Sequence, residues 1–201
     1  MPLSKQHKAQ TRARIVHSAG RAFRDAGFGA TGIDALMAEA GLTRGGFYAH
    51  FASKEELFAT VLRGDNGLIR RLAGRDAATP ARWRSQTLAT MSDYLAPNHL
   101  RAISRGCSFV ALTADASRGG AAVRSAYAGA FGDLVAQLLR RHGETAEAAL
   151  ARSTARQREA AAQVAATAIG ALIVAAALGE GAASRAALSG ARTIVRERMD
   201  G

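Results

Sequence analysis

The chain has 201 residues, 48% of them hydrophobic and 5% aromatic, and its 27 Lys and Arg against 16 Asp and Glu give a formal net charge of +11. That apolar share excludes a disordered chain, and the basic excess points to a polyanionic partner such as nucleic acid. One cysteine excludes an internal disulfide and fits a reducing compartment, and three prolines among abundant alanine predict a mostly helical fold.

The positive charge is spread along the chain, so net charge alone does not locate a site. It is sharper at the start. Lys5, Lys8, Arg12, Arg14, Arg21 and Arg24 fall within the first 24 residues, with no acid among them. The opening MPLSKQHKAQTR is polar and lacks the apolar core of a signal peptide.

Residues 10–26 predict an amphipathic helix. Ile15, Ala19, Ala22, Phe23 and Ala26 share one face, with Arg12, Arg14, Arg21 and Arg24 elsewhere. Gly27 is a natural stop. Thr31 with Asp34 predicts a capping box for a short helix that turns Ile33, Leu36, Met37 and Ala40 inward and ends at Gly41. After a tight turn, Thr43 caps another short helix, from Arg44 to about Phe51. Ser53 and Glu56 form a second capping box, opening a helix that buries Leu57, Phe58, Val61 and Leu62. Gly64, Asn66, Gly67 and Gly74 predict a bend or fraying between 64 and 75, where a domain boundary is expected.

Further helices are expected at 80–96, 104–117, 120–142, 146–179 with a break near 154, and 184–199. The apolar stretch AATAIGALIVAAALG, residues 165–179, is shorter than the ~20 residues a membrane span needs and reads as a buried helix.

Two short helices around a turn at Gly41 to Thr43 make a helix-turn-helix, whose second helix enters the DNA major groove by its N-terminal residues. The stretch LTRGGFYAHFASKEEL, residues 42–57, places two adjacent glycines in that first turn. Each costs about 1 kcal/mol relative to Ala in a helix. A bare backbone there permits close approach to DNA, and first-turn N–H groups are available to phosphate. Phe47 and Phe51, four residues apart, face back into the core.

GFGATGIDALMAEAGLTRGGFYAHFASKEELF, residues 27–58, resembles the DNA-binding domain of the tetracycline-repressor (TetR) family of transcriptional regulators. The matching features are Gly-Phe after the first helix, Thr before the second, the Ala-Gly turn, Thr-Arg-Gly, Phe-Tyr, a second Phe, and Ser-Lys-Glu opening the fourth helix. The resemblance implies an all-α protein of about nine helices. A helix-turn-helix DNA-binding domain would occupy 1–65, and a helical ligand-binding and dimerisation domain 66–201. It further implies a cytoplasmic homodimer partnered by a double-stranded DNA operator and a small-molecule effector, with no membrane, cofactor or enzymatic activity.

Physics and resemblance together assign the DNA-facing residues. Thr43 caps the recognition helix and can reach a phosphate. Arg44 can pair bidentately with guanine O6 and N7, or rest on phosphate or in solvent. Gly45 and Gly46 keep the approach open. Tyr48 reaches a phosphate or a thymine methyl, and His50 a backbone phosphate. Lys54, at a free helix N-terminus, resembles a phosphate-binding lysine, and Thr31 is expected to act similarly from the second helix. Lys5, Lys8, Arg12 and Arg14 either reach the neighbouring backbone or are solvated. Many relatives carry Thr or Ala where this chain has Gly46 and His where it has Ala49, so specificity is expected to fall on Arg44, Tyr48 and DNA shape.

In the second half, Ala162, Ala166, Gly170 and Val174 recur every four residues as a smooth ridge, flanked by Ile169, Ile173 and Ala177. With Leu188, Ile194 and Val195 of the last helix, they are expected to form a dimer interface, the alternative being burial within the monomer. Trp83, Met91, Tyr94, Cys107, Phe109, Tyr127 and Phe131 are the candidates for lining a pocket for an apolar ligand, or for ordinary core. Cys107, beside Arg101 and Arg105, is either a small buried residue or a thiol of lowered pKa.

The expected function is a repressor released from a palindromic operator by a small apolar or electrophilic ligand, with an activator of the same fold as alternative. Ligand would shift the fourth and sixth helices, and so the spacing of two recognition helices that must sit roughly 34–36 Å apart. A thiol-dependent enzyme using Cys107 would need His99 or His142 as base, and nothing in the sequence organises that pair. No metal-ligand spacing links the five histidines.

Overall fold

The computed structural model describes residues 5–64, 67–100 and 107–200. Among them the chain is all-α, with twelve α-helical segments and one 3-10 segment and no strand. That exceeds the nine helices expected, because several predicted helices are broken into shorter pieces. These segments form two compact units, the first from Met1–Asn66 with Ser104–Ala130, the second from Gly67–Ile103 with Phe131–Gly201.

In the first unit, α1 (Lys5–Ala30) buries Ile15, Ala19 and Phe23 as the periodicity requires. Two of its expected core alanines differ: Ala22 is half-buried and Ala26 exposed, while Arg24, read as a surface residue, is buried. Gly27 interrupts the helix with φ 83° and ψ 162°, a region open to glycine at little cost. Then come α2 (Ile33–Glu39), the 3-10 segment Arg44–Ala49 and α3 (Lys54–Gly64). The capping box at Thr31 does not form. Gly32 is the N-cap of α2, and the buried Thr31 hydroxyl instead donates to the carbonyl of Gly27 at 2.7 Å. The second box forms in shifted register: the Glu56 N–H donates to Ser53 Oγ at 3.2 Å, and the Glu56 carboxylate accepts from the Ala52 N–H at 2.7 Å.

The core of this unit is aromatic. Phe23, Phe28 and Phe58 pack as a triangle with centroids 5.7, 5.5 and 5.0 Å apart. Each such pair contributes about 0.5–1.5 kcal/mol beyond the area it buries. The sixth expected helix appears as α7 (Ser108–Ala111) and α8 (Thr113–Arg118), divided at Leu112, and both pack against α1. The first half of α9 (Ala121–Leu139) completes the unit.

The second unit begins with α4 (Gly67–Ala73), which ends just before Gly74 within the stretch expected to bend; residues 65 and 66 lie outside the described residues. Thr79 caps α5 (Pro80–Tyr94) by accepting the Arg82 N–H, with Pro80 in the first turn, where its missing N–H costs nothing. After α6 (Pro97–Leu100) and the second half of α9 come α10 (Ala146–Arg152) and α11 (Ala155–Leu178). The expected break near 154 is a full capping box between Thr154 and Gln157. α12 (Ala182–Asp200) returns along α11 after a turn at Gly179, φ 69°. By length and composition alone α11 could cross a membrane, with a mean hydropathy of 2.0, but only 39% of that window is buried in the chain.

Trp83 anchors the second unit. Its indole N–H donates to the Arg140 carbonyl at 3.0 Å, and the Arg75 and Arg140 guanidinium groups lie 4.3 and 5.0 Å from the ring. Arg75 is buried and donates to the carbonyls of Leu72 and Gln137, both at 2.7 Å, and to the Thr87 hydroxyl. Burial, and then the Arg140 charge, lower its pKa to about 10, so it remains cationic at neutral pH. The aromatic face and the carbonyls replace the water that this charge gave up.

Candidate nucleic-acid interface

The residues of the turn and the 3-10 segment separate by burial. Phe47 and Phe51 are 0% and 2% exposed, their rings 5.8 Å apart, whereas Tyr48 between them is 60% exposed and meets the Phe47 ring edge-on at 5.2 Å. A run of six residues cannot hold a helical turn by its own hydrogen bonds. Burying two phenylalanine side chains stabilises the attachment by roughly 1.5–3 kcal/mol each. The segment is wound as 3-10 rather than the expected α-helix to Phe51, with Thr43 in the N-cap position but its hydroxyl making no cap bond.

The glycines have no internal explanation. A Cβ built on Gly45 meets nothing within 4 Å, and one on Gly46 meets only the Met37 Cε at an ordinary 3.6 Å. Neither has positive φ. In the folded chain an alanine fits at 45, so nothing packed against this position requires glycine.

Arg44 is exposed and pairs with Asp34 of α2 at 2.8 Å. Pairs this exposed contribute about 0–1 kcal/mol, so the guanidinium is oriented without being held fast. His50 is half-buried, and its Nδ1 has no hydrogen-bond partner. Burial, followed by the charges of Lys8 and Arg12, lowers its pKa and favours the neutral imidazole. Lys54 opens α3 with its ammonium 4.3 Å above the Phe28 ring, and burial lowers its pKa against the opposing pull of Glu55 and Asp115. Arg12 covers the Phe51 ring at 4.4 Å and approaches Glu56 at 3.8 Å.

Thr43, Arg44, Gly45 and Tyr48 are thus exposed on the first unit, with Gly46, His50 and Lys54 half-buried. Thr31 is not, because its hydroxyl is turned into the chain. Sequence reasoning missed Asp34 as the partner of Arg44. The signal was available, since Asp34 starts the preceding helix, but the capping reading absorbed it.

The remaining residues singled out in the sequence divide between the units. Cys107, Phe109 and Tyr127 belong to the first. Cys107 is 1% exposed and Phe109 0%, and the Tyr127 hydroxyl meets that of Thr113 at 2.9 Å. Arg101 and Arg105, invoked beside the thiol, lie outside the described residues. Trp83, Met91, Tyr94 and Phe131 belong to the second unit, with Trp83 engaged by its arginines and the Tyr94 ring 4.8 Å from that of His99. Met91 lines a groove of about 320 Å³ with Leu88, Leu95 and Val195. Of the ridge residues, Val174 is 51% exposed and Ile194 48%; Ala166 and Ala177 are exposed, and Ala162, Gly170 and Ile173 half-buried. Ile169, Leu188 and Val195 lie in the unit's own core.

Comparison with known proteins agrees with this geometry. Residues 15–61 match the family model described as bacterial regulatory proteins, tetR family, a span that runs from α1 through the 3-10 segment into α3. Over residues 15–61 the chain carries the module of the tetR family of bacterial regulatory proteins. It is 33% identical over 95 residues to the uncharacterized HTH-type transcriptional regulator YfiR of Bacillus subtilis, a match spanning 46% of this chain and 43% of YfiR. The chain therefore matches less than half the length of that HTH-type relative. The reduced form of NemR from E. coli has the same fold, with TM-score 0.67 at 21% identity over 94% of this chain and 96% of that one. SmeT, solved as a triclosan complex, superposes with TM-score 0.58 at 20% identity over 95% and 90% of the two chains.

The open space at Gly45 has a consequence for stability. Gly45→Ala is expected to leave the fold unchanged and to raise unfolding free energy by about 0.5–1 kcal/mol, through lost chain entropy in the unfolded state. Thermal and urea unfolding check this. A lowered midpoint would mean that the glycine serves the fold itself.

Proposed function

We propose that this regulator binds a palindromic DNA operator as a homodimer, acts in the cytoplasm as a repressor, and is released by a small apolar or electrophilic effector. The observation that carries the reading is the 3-10 segment Arg44–Ala49. It has a backbone kept bare at two glycines without internal need, flanked outward by Arg44 and Tyr48 and fixed inward by Phe47 and Phe51. Basic residues surround it, and Lys54 stands at the start of α3. Such a surface suits a close approach to the sugar–phosphate edge, with one guanidinium left to read a base.

Functionally, residues 1–65 then serve as the DNA-binding domain and 66–201 as the part that dimerises and takes the effector. Dimerisation is supported by Val174, Leu178 and Ile194, large apolar residues left about half exposed on α11 and α12. Together with Ala166, Gly170 and Ala177 they give a smooth apolar face of the kind two helices bury against their symmetry mates. For the effector, the groove beside Met91, which Arg192 and Arg196 line together with its apolar residues, is a starting point, and the triclosan bound by the like-folded SmeT exemplifies the chemical class. Effector binding would act by favouring a state in which the two DNA-contacting segments no longer match successive major grooves.

In vitro selection of bound duplexes tests the reading. The expected product is an inverted repeat with half-sites one helical turn apart, and recovery of random sequence would reject it. On the selected duplex, Arg44→Ala is expected to lose about 1–3 kcal/mol and to relax one base position per half-site. Uniform weakening across sequences would make Arg44 a phosphate contact. Val174→Arg is expected to give a folded monomer by sedimentation or light scattering and to weaken operator binding in step. A dimer that persists would move the interface elsewhere.

A further inference from the structure

We propose that Asp115, which lies outside the helix-turn-helix, is a positioning residue for DNA contact: its carboxylate fixes the Gly27–Phe28 corner and, through the Phe28 ring, the ammonium of Lys54. The inference rests on the reading that Lys54 meets DNA phosphate, and names what places it there.

The geometry starts at the break in α1. Gly27, at φ 83° and ψ 162°, turns the chain out of the helix, so the N–H of Phe28 has no helical carbonyl to meet. The carboxylate of Asp115 accepts that N–H at 2.8 Å. A Cβ on residue 27 would stand 3.2 Å from the same oxygen, so glycine is required both by its φ and by the closeness of the carboxylate. A bond to a charged acceptor is shorter and stronger than one between neutral groups.

Phe28 carries the constraint onward. Its ring packs on Phe23 and Phe58, and the Lys54 ammonium lies 4.3 Å above it. Lys54 is thereby seated on an aromatic platform whose backbone is held by Asp115, and both Asp115 and Glu55 favour its charged form. Asp115 is itself well placed. It belongs to α8, whose Thr113 hydroxyl bonds to Tyr127 and to the Phe109 carbonyl. The Tyr127 hydroxyl also reaches that carbonyl, at 3.3 Å.

Two effects of Asp115 on DNA affinity have opposite signs, which makes the proposal decidable. As a bare negative charge near the DNA face it repels phosphate, and its loss would tighten binding. As a positioning group it orders Lys54, and its loss would weaken binding. The test uses the full chain and the duplex obtained by selection, with anisotropy titrations at fixed salt and below each variant's unfolding midpoint. Asp115→Ala is expected to weaken binding at least fivefold, and Asp115→Asn, which keeps an acceptor oxygen, to bind within twofold of wild type. Asp115→Glu keeps the charge but shifts the oxygens, so it should weaken binding, and it serves in place of the alanine variant if that one does not fold. In a Lys54→Met background, Asp115→Ala should add less than a twofold change.

Tighter binding by Asp115→Ala, wild-type affinity in Asp115→Glu, or full additivity with Lys54→Met would each overturn the proposal. A wild-type chain that selects no sequence would defeat the functional reading and this inference together. Selective wild-type binding with indifferent variants would defeat the inference alone.

Discussion

The segment proposed to face DNA depends on one constraint, the burial of Phe47 and Phe51 on either side of the exposed Tyr48. Six residues with two glycines form a poor helix, and the backbone entropy of ordering them is about 1–2 kcal/mol per residue. The aromatic anchors supply the compensation from the far side, so the near side can forgo side chains altogether. A conventional helix former at 45 would strengthen the turn and cover the backbone. The sequence is therefore locally inconsistent, a weak helix signal beside strong anchors, the pattern expected where function rather than fold sets the requirement.

The same aromatic core joins the elements that present the candidate side chains. Phe23 comes from α1, Phe28 from the corner after Gly27, and Phe58 from α3, while Lys54 and Arg12 lie over the faces of Phe28 and Phe51. The rings thus seat cations as well as fill space. The attraction of an ammonium to the ring face offsets part of the hydration that burial removes from Lys54.

Much of this was legible in the sequence because it is local. The Gly27 stop, the turn at Gly41, the break near 154 and the anchors Phe47 and Phe51 follow from spacing and backbone chemistry within a few residues. What was misread is where a nearby rule met a competing partner. Thr31 matched a capping pattern, yet a carbonyl four residues earlier captured its hydroxyl and drew it into the core. Asp34 was assigned to the same cap and instead meets Arg44. What could not be read depends on contacts distant in sequence. Asp115 lies 87 residues from the N–H it accepts, and Trp83 lies 57 from the carbonyl it binds. Trp83 was therefore expected in a pocket, whereas it is flanked by two guanidinium groups.

The central claim, that the bare turn of the 3-10 segment is the surface that meets DNA, is tested most directly by amide hydrogen exchange with and without the selected duplex. The account predicts slowed exchange over residues 43–48 and at the start of α3, where exposed backbone becomes covered by the duplex, with little change along α11. Protection confined to other surfaces, with the amides of Gly45 and Gly46 exchanging as in the free protein, would contradict it.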